Sequence, residues 1–432
     1  MRTPRIAVAG LCTVMVFSPA IANGDVVLEW NAIMVAVVAE QPPPNMNRFA
    51  AITQLAVFEA VNAVTRGHRP HLGTIAPAPG ASADAAAIAA AHGVLRHYFP
   101  ERAAFLDAER VRSLGKVPDG PAKAGGITIG EAAAARSIAA RESDGSEPPE
   151  FYVPSSSTPG EWQLTPDCPP AGGVFLHWRS VTPFALRRAD QFRSDPPPAL
   201  TGHQYARDYK EVKRVGGRDS TERPQDRANV VQLYAALSDA VLWNPIASQL
   251  AAAHRRPLAE NARMLALLNM ALSDAGVAVM DTKYHYNFWR PETAIVGGAA
   301  DGNDRTDADT SFVPFIPAPC FPSYPSGHAS TSYAAREVLE RIFGRRGHAI
   351  SVSTAAVPDV VLKYTRLKDI TSDIDDARVY GGIHFRFDQE DGAEQGHQVG
   401  AYVYRHSLRP VRGCSCDDDE SEDMGRPAAG RR

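Results

Sequence analysis

An all-α fold of two packed helical bundles is what this sequence predicts, on three observations. Apolar residues recur at helical intervals through most of the 432 residues, in stretches largely free of Pro and Gly. Strand signals are few: residues 352–356 are a weak one, and residues 360–365 fit helix equally well. No internal repeat stands out. The 44% apolar and 22% charged content is that of an ordinary soluble globular chain, and a net charge of −4 argues against a nucleic-acid binder.

Taken in order, residues 1–22 read as a secretory leader. Arg2 and Arg5 precede a short apolar run from Ile6 to Phe17, and Ala20-Ile21-Ala22 is a small-x-small cleavage site. The expectation is export to the periplasm or the extracellular space, with cleavage after Ala22. Residues 26–40 are apolar and helical until Pro42-Pro43-Pro44 stops them. Met46–Val64 places Phe49, Ile52, Leu55, Phe58 and Val61 at helical spacing. Asp84–Tyr98 is Ala-rich, Pro100–Leu114 carries Pro near its first turn, and Ile129–Arg141 fits another helix. Residues 144–200 differ: Pro, Ser and Gly are dense, with Trp162, Trp178 and Phe184 interspersed, so an irregular segment should wrap the surface and pack its aromatics.

Helical spacing returns near Gly202 and continues through Arg223–Leu237, Pro245–Arg255 and Pro257 to about Trp289. A Gly/Asp/Pro-rich loop fills 297–325. Ser326 or Gly327 opens a helix to about Phe343, and a last helix runs from about His384 to Arg405. The acidic tail, 413–432, reads as disordered. The expected division is a leader (1–22), an N-terminal helical region (23–200), a C-terminal bundle (201–412) and the tail. The longest apolar candidate for a membrane span, Met264–Met280, is interrupted by Asn269 and Asp274, so no span is expected after leader removal. Export leaves Cys168, Cys320, Cys414 and Cys416 in an oxidising compartment, with three possible pairings. Pairing of Cys168 with Cys320 is favoured because each sits in a Pro-rich loop. The spacing does not suit zinc.

Three runs in the C-terminal half carry chemistry. Lys283 and Arg290 are seven residues apart, nearly two helical turns, which would set both cations on one face with an anion between them. Pro325-Ser326-Gly327-His328 places a capping hydroxyl and a glycine amide at a helix start, where unpaired N–H groups and the helix dipole favour an anion. Arg378 lies six residues before His384, with Gly381-Gly382 as a turn between them. Asp388 follows one helical turn after His384 and could orient it. The inventory suits a tetrahedral or trigonal-bipyramidal oxyanion, phosphate or vanadate.

In this order and spacing, the three runs resemble the signature of the type-2 phosphatidic-acid phosphatase and vanadium haloperoxidase superfamily. The texts Phe288-Trp289-Arg290-Pro291, Phe321-Pro322-x-Tyr324-Pro325-Ser326-Gly327-His328 and His384-Phe385-Arg386-Phe387-Asp388 are most similar to its soluble vanadium-dependent haloperoxidase branch. The motif resemblance covers 283–388, with looser similarity back to Val26. It implies a vanadate cofactor, in a site that phosphate could also fill, and hydrogen peroxide and halide as reactants. Lys283, Arg290 and Arg378 would bind the non-axial oxygens, Ser326 its hydroxyl's share and Gly327 its N–H's. His384 would be the axial vanadium ligand, His328 the acid–base group, and Lys283 would also polarise the peroxide. The alternative is a phosphomonoesterase in which His384 attacks phosphorus, Asp388 orients it and His328 protonates the leaving oxygen. Two halide-site candidates point different ways. Phe321 matches chloride-oxidising members, whereas Met280 stands where those carry Trp, so bromide is the more secure expectation.

Overall fold

A computed structural model describes residues 25–237 and 239–411. The expected leader, the acidic tail, Cys414 and Cys416 lie outside the described residues. Thirteen α-helices and one two-stranded antiparallel sheet make up the regular structure of the described residues. The N-terminal half contributes α1 (Val26–Val38), α2 (Pro43–Thr65), α3 (Ala83–Tyr98), α4 (Ala103–Leu114) and α5 (Pro121–Ala139). The C-terminal half contributes α6 (His203–Val215), α7 (Gln225–Ala236), α8 (Asp239–His254), α9 (Leu258–Tyr286), α10 (Pro291–Val296), α11 (Gly327–Phe343), α12 (Leu367–Tyr380) and α13 (Arg386–His406).

Helix α9 is the axis of the molecule. It is long and apolar enough to cross a membrane by length and composition, yet 94% of that stretch is buried inside the protein. Its polar interruptions are satisfied internally. Asn269 exchanges side-chain hydrogen bonds with Asn244 at 2.8 and 2.9 Å. Asp274 accepts the backbone N–H groups of Phe184, Ala185 and Leu186 at 2.6–2.9 Å, pinning the irregular segment to the helix. A buried polar group without such partners would cost the fold a few kcal/mol, on the order of 1–3. One apolar core runs from Val27 on α1 through α2, α3 and α9 to Val403 on α13. The irregular stretch 144–200 holds only short 3-10 turns and buries Trp162 and Trp178, as its aromatic content predicts.

Several expected boundaries need correction. Pro43 and Pro44 do not merely stop α1; they open α2, because proline at the first helical turn forfeits an N–H that has no partner there. Helix α5 begins at Pro121 rather than Ile129 for the same reason. Helix α8 begins at Asp239, ahead of Pro245, since burial of Leu242, Trp243 and Ile246 outweighs one lost backbone bond. Helices α10 and α12 lie where the sequence reading placed none. Leu367, Ile370, Ile374 and Ala377 give α12 a buried stripe that its four aspartates obscure. The ambiguous segments are strands: β1 (Ile350–Ser353) pairs with β2 (Val361–Tyr364).

Helices α11 and α13 approach closely because Gly392, Gly396 and Gly400 face α11. A Cβ at any of them would run into the carbonyl oxygens of Ser326, Ser330 or Ala334. That contact seats the N-terminus of α11 against the N-terminus of α13. The two ends carry Ser326 and Asp388, and Ser326 N–H donates to the Asp388 carbonyl at 2.8 Å.

Candidate functional site

The three runs converge. Lys283 sits in the last turn of α9, Arg290 just before α10, Ser326 caps α11, His328 lies in its first turn, Arg378 ends α12, and His384 and Asp388 flank the start of α13. One expectation is overturned: Lys283 and Arg290 do not share a helical face. Asn287 takes a left-handed conformation (φ 50°) that ends α9, and the chain passes through Phe288 and Trp289 to Arg290, whose backbone is extended. The buried aromatics force this path. Phe288 packs against Phe385 and Phe387, with ring centroids 6.1 and 5.8 Å away, and Trp289 is 2% exposed. The cations still meet, because both are withdrawn from solvent in one place, each 0% exposed.

Arg290 is held as a rigid fork. Its Nε donates to Phe321 O at 2.9 Å, and its Nη1 to Ile383 O at 2.9 Å and to His384 Nε2 at 3.0 Å. Its Nη2 is buried with no partner in the protein, and so is Arg378 Nε. Lys283 Nζ donates to the carbonyls of Pro322, Ser323 and Pro325 at 2.6–2.9 Å, three acceptors for the three protons of an ammonium. It therefore clamps the loop before α11 and contributes charge, with its own N–H bonds committed. The ring of Phe321 lies 5.2 Å from Lys283 Nζ and 5.0 Å from the Arg290 guanidinium carbon, a cation–π arrangement with both.

His384 has a fixed tautomer. Its Nδ1 lies 2.7 Å from Asp388 Oδ2, and its Nε2 accepts from Arg290, so the proton is assigned to Nδ1 and Nε2 is left unprotonated, with a lone pair that a ligand or an electrophile would take in place of the Arg290 bond. Ser323 Oγ donates to the same Asp388 oxygen at 2.5 Å, and Phe385 N–H at 3.1 Å. Three donors on one oxygen fit an ionised carboxylate. Burial pushes the Asp388 carboxyl up to about 7, while the Ser323 hydroxyl, Lys283 and Arg290 pull it down. Burial, then the surrounding cations, depresses both His384 and His328 well below the ordinary imidazole range, so both are neutral. Burial also lowers Arg290 to about 9 and Arg378 to about 10, each opposed by one carboxylate, Asp388 and Asp239 respectively.

Two residues of the site escape the sequence reading. Ser323 occupies the unassigned position of the loop text, and nothing in its neighbours marks it. Asp239 comes from α8, far from every motif. Its backbone is left-handed (φ 47°), its carboxyl is buried, Thr331 Oγ1 donates to it at 2.5 Å, and it balances Arg378. A strained non-glycine residue in such a place is a marker of function, although only the fold brings it there.

A cavity of about 400 Å³ opens on the site, with Asp239, Gly327, His328, Thr331, Arg378 and His384 in its lining. Met280, Phe321, Val174 and Phe175 also line it, and α2 adds Pro43, Pro44 and Asn47. A Cβ on Gly327 would meet nothing nearer than Lys283 Cε at 3.9 Å, leaving its backbone open to a bound group. The disulfide joining Cys168 to Cys320, as the sequence favours, ties the irregular segment to the loop beside Phe321. Among the described residues, no cluster of His, Cys, Asp and Glu forms a conventional metal site.

Residues 263–413 match the family model described as the vanadium chloroperoxidase second helical-bundle domain. The vanadium chloroperoxidase of Curvularia inaequalis is 28% identical over 191 residues, 37% of this chain, and the match spans 31% of that relative's length. The fold is similar to the crystal structure of a bacterial vanadium-dependent iodoperoxidase, with a TM-score of 0.74 at 25% identity, covering 89% of this chain and 97% of that one. It is also similar to the apo form of a bacterial vanadium-dependent chloroperoxidase, with a TM-score of 0.69 at 18% identity, covering 85% and 94%. A haloperoxidase domain model thus covers the stretch that holds all three runs, and the fold over most of the described chain is similar to those of bacterial vanadium-dependent haloperoxidases.

Proposed function

We propose that this protein oxidises halide with hydrogen peroxide as a vanadate-dependent haloperoxidase, acting on bromide and on the more easily oxidised iodide. The observation that carries the reading is the unbalanced charge of a buried site. Lys283, Arg290 and Arg378 converge with Asp388 and Asp239 as their carboxylates, and Arg290 Nη2 and Arg378 Nε have no acceptor in the protein. Buried donors of this kind are costly unless an anion meets them. The residues fit vanadate: two planar guanidinium groups, the Ser326 hydroxyl, the open Gly327 backbone at a helix N-terminus, and an unprotonated imidazole nitrogen.

When bound, vanadate supplies a Lewis acid that polarises peroxide without changing oxidation state. The chain's own residues do the rest. His384 would hold the oxyanion through Nε2, which the Nδ1–H bond to Asp388 keeps free of a proton. Asp388 and Ser323 fix that tautomer and the ring's orientation. Arg290 and Arg378 stabilise developing negative charge with donors already in place. His328, neutral and facing the cavity, is suited to take a proton from hydrogen peroxide and return it as water leaves. Lys283 keeps the positive field and the loop geometry. The same reading puts the protein in an exported, oxidising compartment, which the Cys168–Cys320 disulfide supports.

The test is reconstitution of the purified protein with orthovanadate, followed by bromination of a diketone dye with bromide and peroxide. Turnover above the vanadate-free control is expected. Its absence, together with rapid hydrolysis of p-nitrophenyl phosphate, would overturn the haloperoxidase reading in favour of the phosphomonoesterase.

A further inference from the structure

Helix α9 turns Gly276, Val279 and Met280 towards the cavity, and Lys283 follows one turn on, the i, i+3, i+4, i+7 spacing of a single helical face. That face borders the groups that would hold an oxyanion. A Cβ on Gly327 would lie 4.0 Å from Val279 Cγ1 and 3.9 Å from Lys283 Cε. Met280 belongs to a buried cluster with Trp178, Val277 and Tyr284. Phe321 packs on that cluster, and its ring is 5.2 Å from Lys283 Nζ. The Met280 side chain thus shares one cavity wall with His328, Arg378 and His384.

No other described methionine is placed this way. Met34, Met46, Met264 and Met270 are buried in the main helical core, and none of them lines the cavity. Cys320 also lines it, but its sulfur is closed in the disulfide with Cys168. Met280 therefore offers the one thioether of the cavity wall among the described residues. A thioether is a soft, polarisable nucleophile, and oxidation turns it from an apolar group into a polar one.

We propose that Met280 is a modification site: hypohalous acid formed in the cavity converts its thioether to the sulfoxide, and the sulfoxide weakens oxyanion binding, so that the protein limits its own turnover. The inference rests on the haloperoxidase reading. The chemistry balances. The sulfur lone pair attacks the halogen of hypohalous acid, and the halogen–oxygen bond breaks. Water then adds at sulfur, and the sulfur–halogen bond breaks. In sum, thioether and hypohalous acid give sulfoxide, halide and one proton: sulfur loses two electrons and the halogen gains them. The new oxygen is a hydrogen-bond acceptor that the cluster of Trp178, Val277 and Tyr284 would have to desolvate, so it turns into the cavity. There it takes room from the oxyanion and meets the same buried cations.

The experiment maps methionine oxidation by mass spectrometry. The full protein, reconstituted with orthovanadate, is turned over with bromide and peroxide in the absence of an organic acceptor. One parallel sample omits bromide, and another, free of vanadate, receives reagent hypobromous acid. Met280 sulfoxide is expected about tenfold above the sulfoxides of Met34, Met46, Met264 and Met270 in both bromine-containing samples, and about tenfold above its own level without bromide. Equilibrium dialysis should then show orthovanadate bound about tenfold more weakly by the oxidised protein. Met280→Leu should keep its starting affinity through the same treatment, and Met280→Gln, with a permanent polar acceptor at that position, should bind weakly from the outset. Met280 left intact by turnover that consumes peroxide overturns the proposal. So does unchanged orthovanadate affinity after its oxidation, or an equal loss in treated Met280→Leu. Absence of bromide-dependent peroxide consumption would instead refute the haloperoxidase reading, and the reagent sample would still decide whether Met280 is the accessible thioether and whether its sulfoxide weakens the anion site.

Discussion

At the scale of single residues, the site is governed by which nitrogen of His384 carries a proton. Asp388 Oδ2 gathers the Nδ1–H of His384, the hydroxyl of Ser323 and the N–H of Phe385. Removing one donor should loosen the imidazole without deleting it. Ser323→Ala is therefore expected to weaken orthovanadate binding about tenfold, within the range typical of groups that orient metal-binding histidines. His384→Ala should abolish retention. Equilibrium dialysis against orthovanadate checks both, and wild-type affinity in the His384 variant would remove the ligand assignment. Asp239 acts on Arg378 through charge, so Asp239→Asn should lower oxyanion affinity while leaving the His384–Asp388 contact intact. Titration with orthovanadate, set beside the Ser323 variant, separates the two effects, and unchanged affinity would count against the charge-balancing role.

At the scale of elements, α11 and α12 are joined by a buried carboxyl. Tyr333 on α11 donates to Asp375 Oδ2 on α12 at 2.7 Å, and Asp375 Oδ1 has no partner. Burial pushes Asp375 up to about 7. An unfolded aspartate titrates near 4, so the folded state binds the proton more tightly. The stability this contributes is complete below about pH 4 and is lost as pH rises through about 7. Asp375→Asn removes the ionisation while keeping an acceptor for Tyr333. Relative to wild type, the variant should gain stability between pH 4.5 and pH 8, on the order of a few kcal/mol. Urea unfolding at the two pH values measures it, and a pH-independent difference would count against a buried ionising carboxyl. The same element shows how a helix can escape a linear reading. The buried stripe of α12 was present at Leu367, Ile370 and Ile374, but its aspartates and the preceding strand signals masked it, and with it the helical setting of Arg378.

At the scale of the whole molecule, the Cys168–Cys320 bond spans 152 residues and ties an irregular segment to the loop that carries Phe321 and the Lys283 clamp. Closing so long a loop restricts the unfolded chain, by about 5 kcal/mol in the chain-entropy account. Cys168→Ser should lower the midpoint of thermal unfolding by several degrees and reduce peroxide-dependent turnover, because the Phe321 loop loses its anchor. An unchanged midpoint would show that the helical core alone fixes that loop. N-terminal sequencing of the exported product, expected to begin at Asn23, checks the compartment in which the bond would form.

The sequence by itself determined the candidate site. Residue types in three short runs suit an oxyanion, through cations, a capping hydroxyl, a glycine amide and a paired histidine. It also determined the helical class, through the spacing of apolar positions along α2, α9 and α11. Only the tertiary structure decided which atoms meet. Seven residues between Lys283 and Arg290 suggest one helical face, yet burial of Phe288 and Trp289 breaks the helix at Asn287 and brings the cations together by another path. Asp239 and Ser323 join the site from positions with no local signature, and Pro43, Pro44 and Gly276 shape the cavity from distant parts of the chain. Local periodicity records which face of an element is buried, but contacts between distant segments depend on packing the whole core, which no short stretch of sequence encodes.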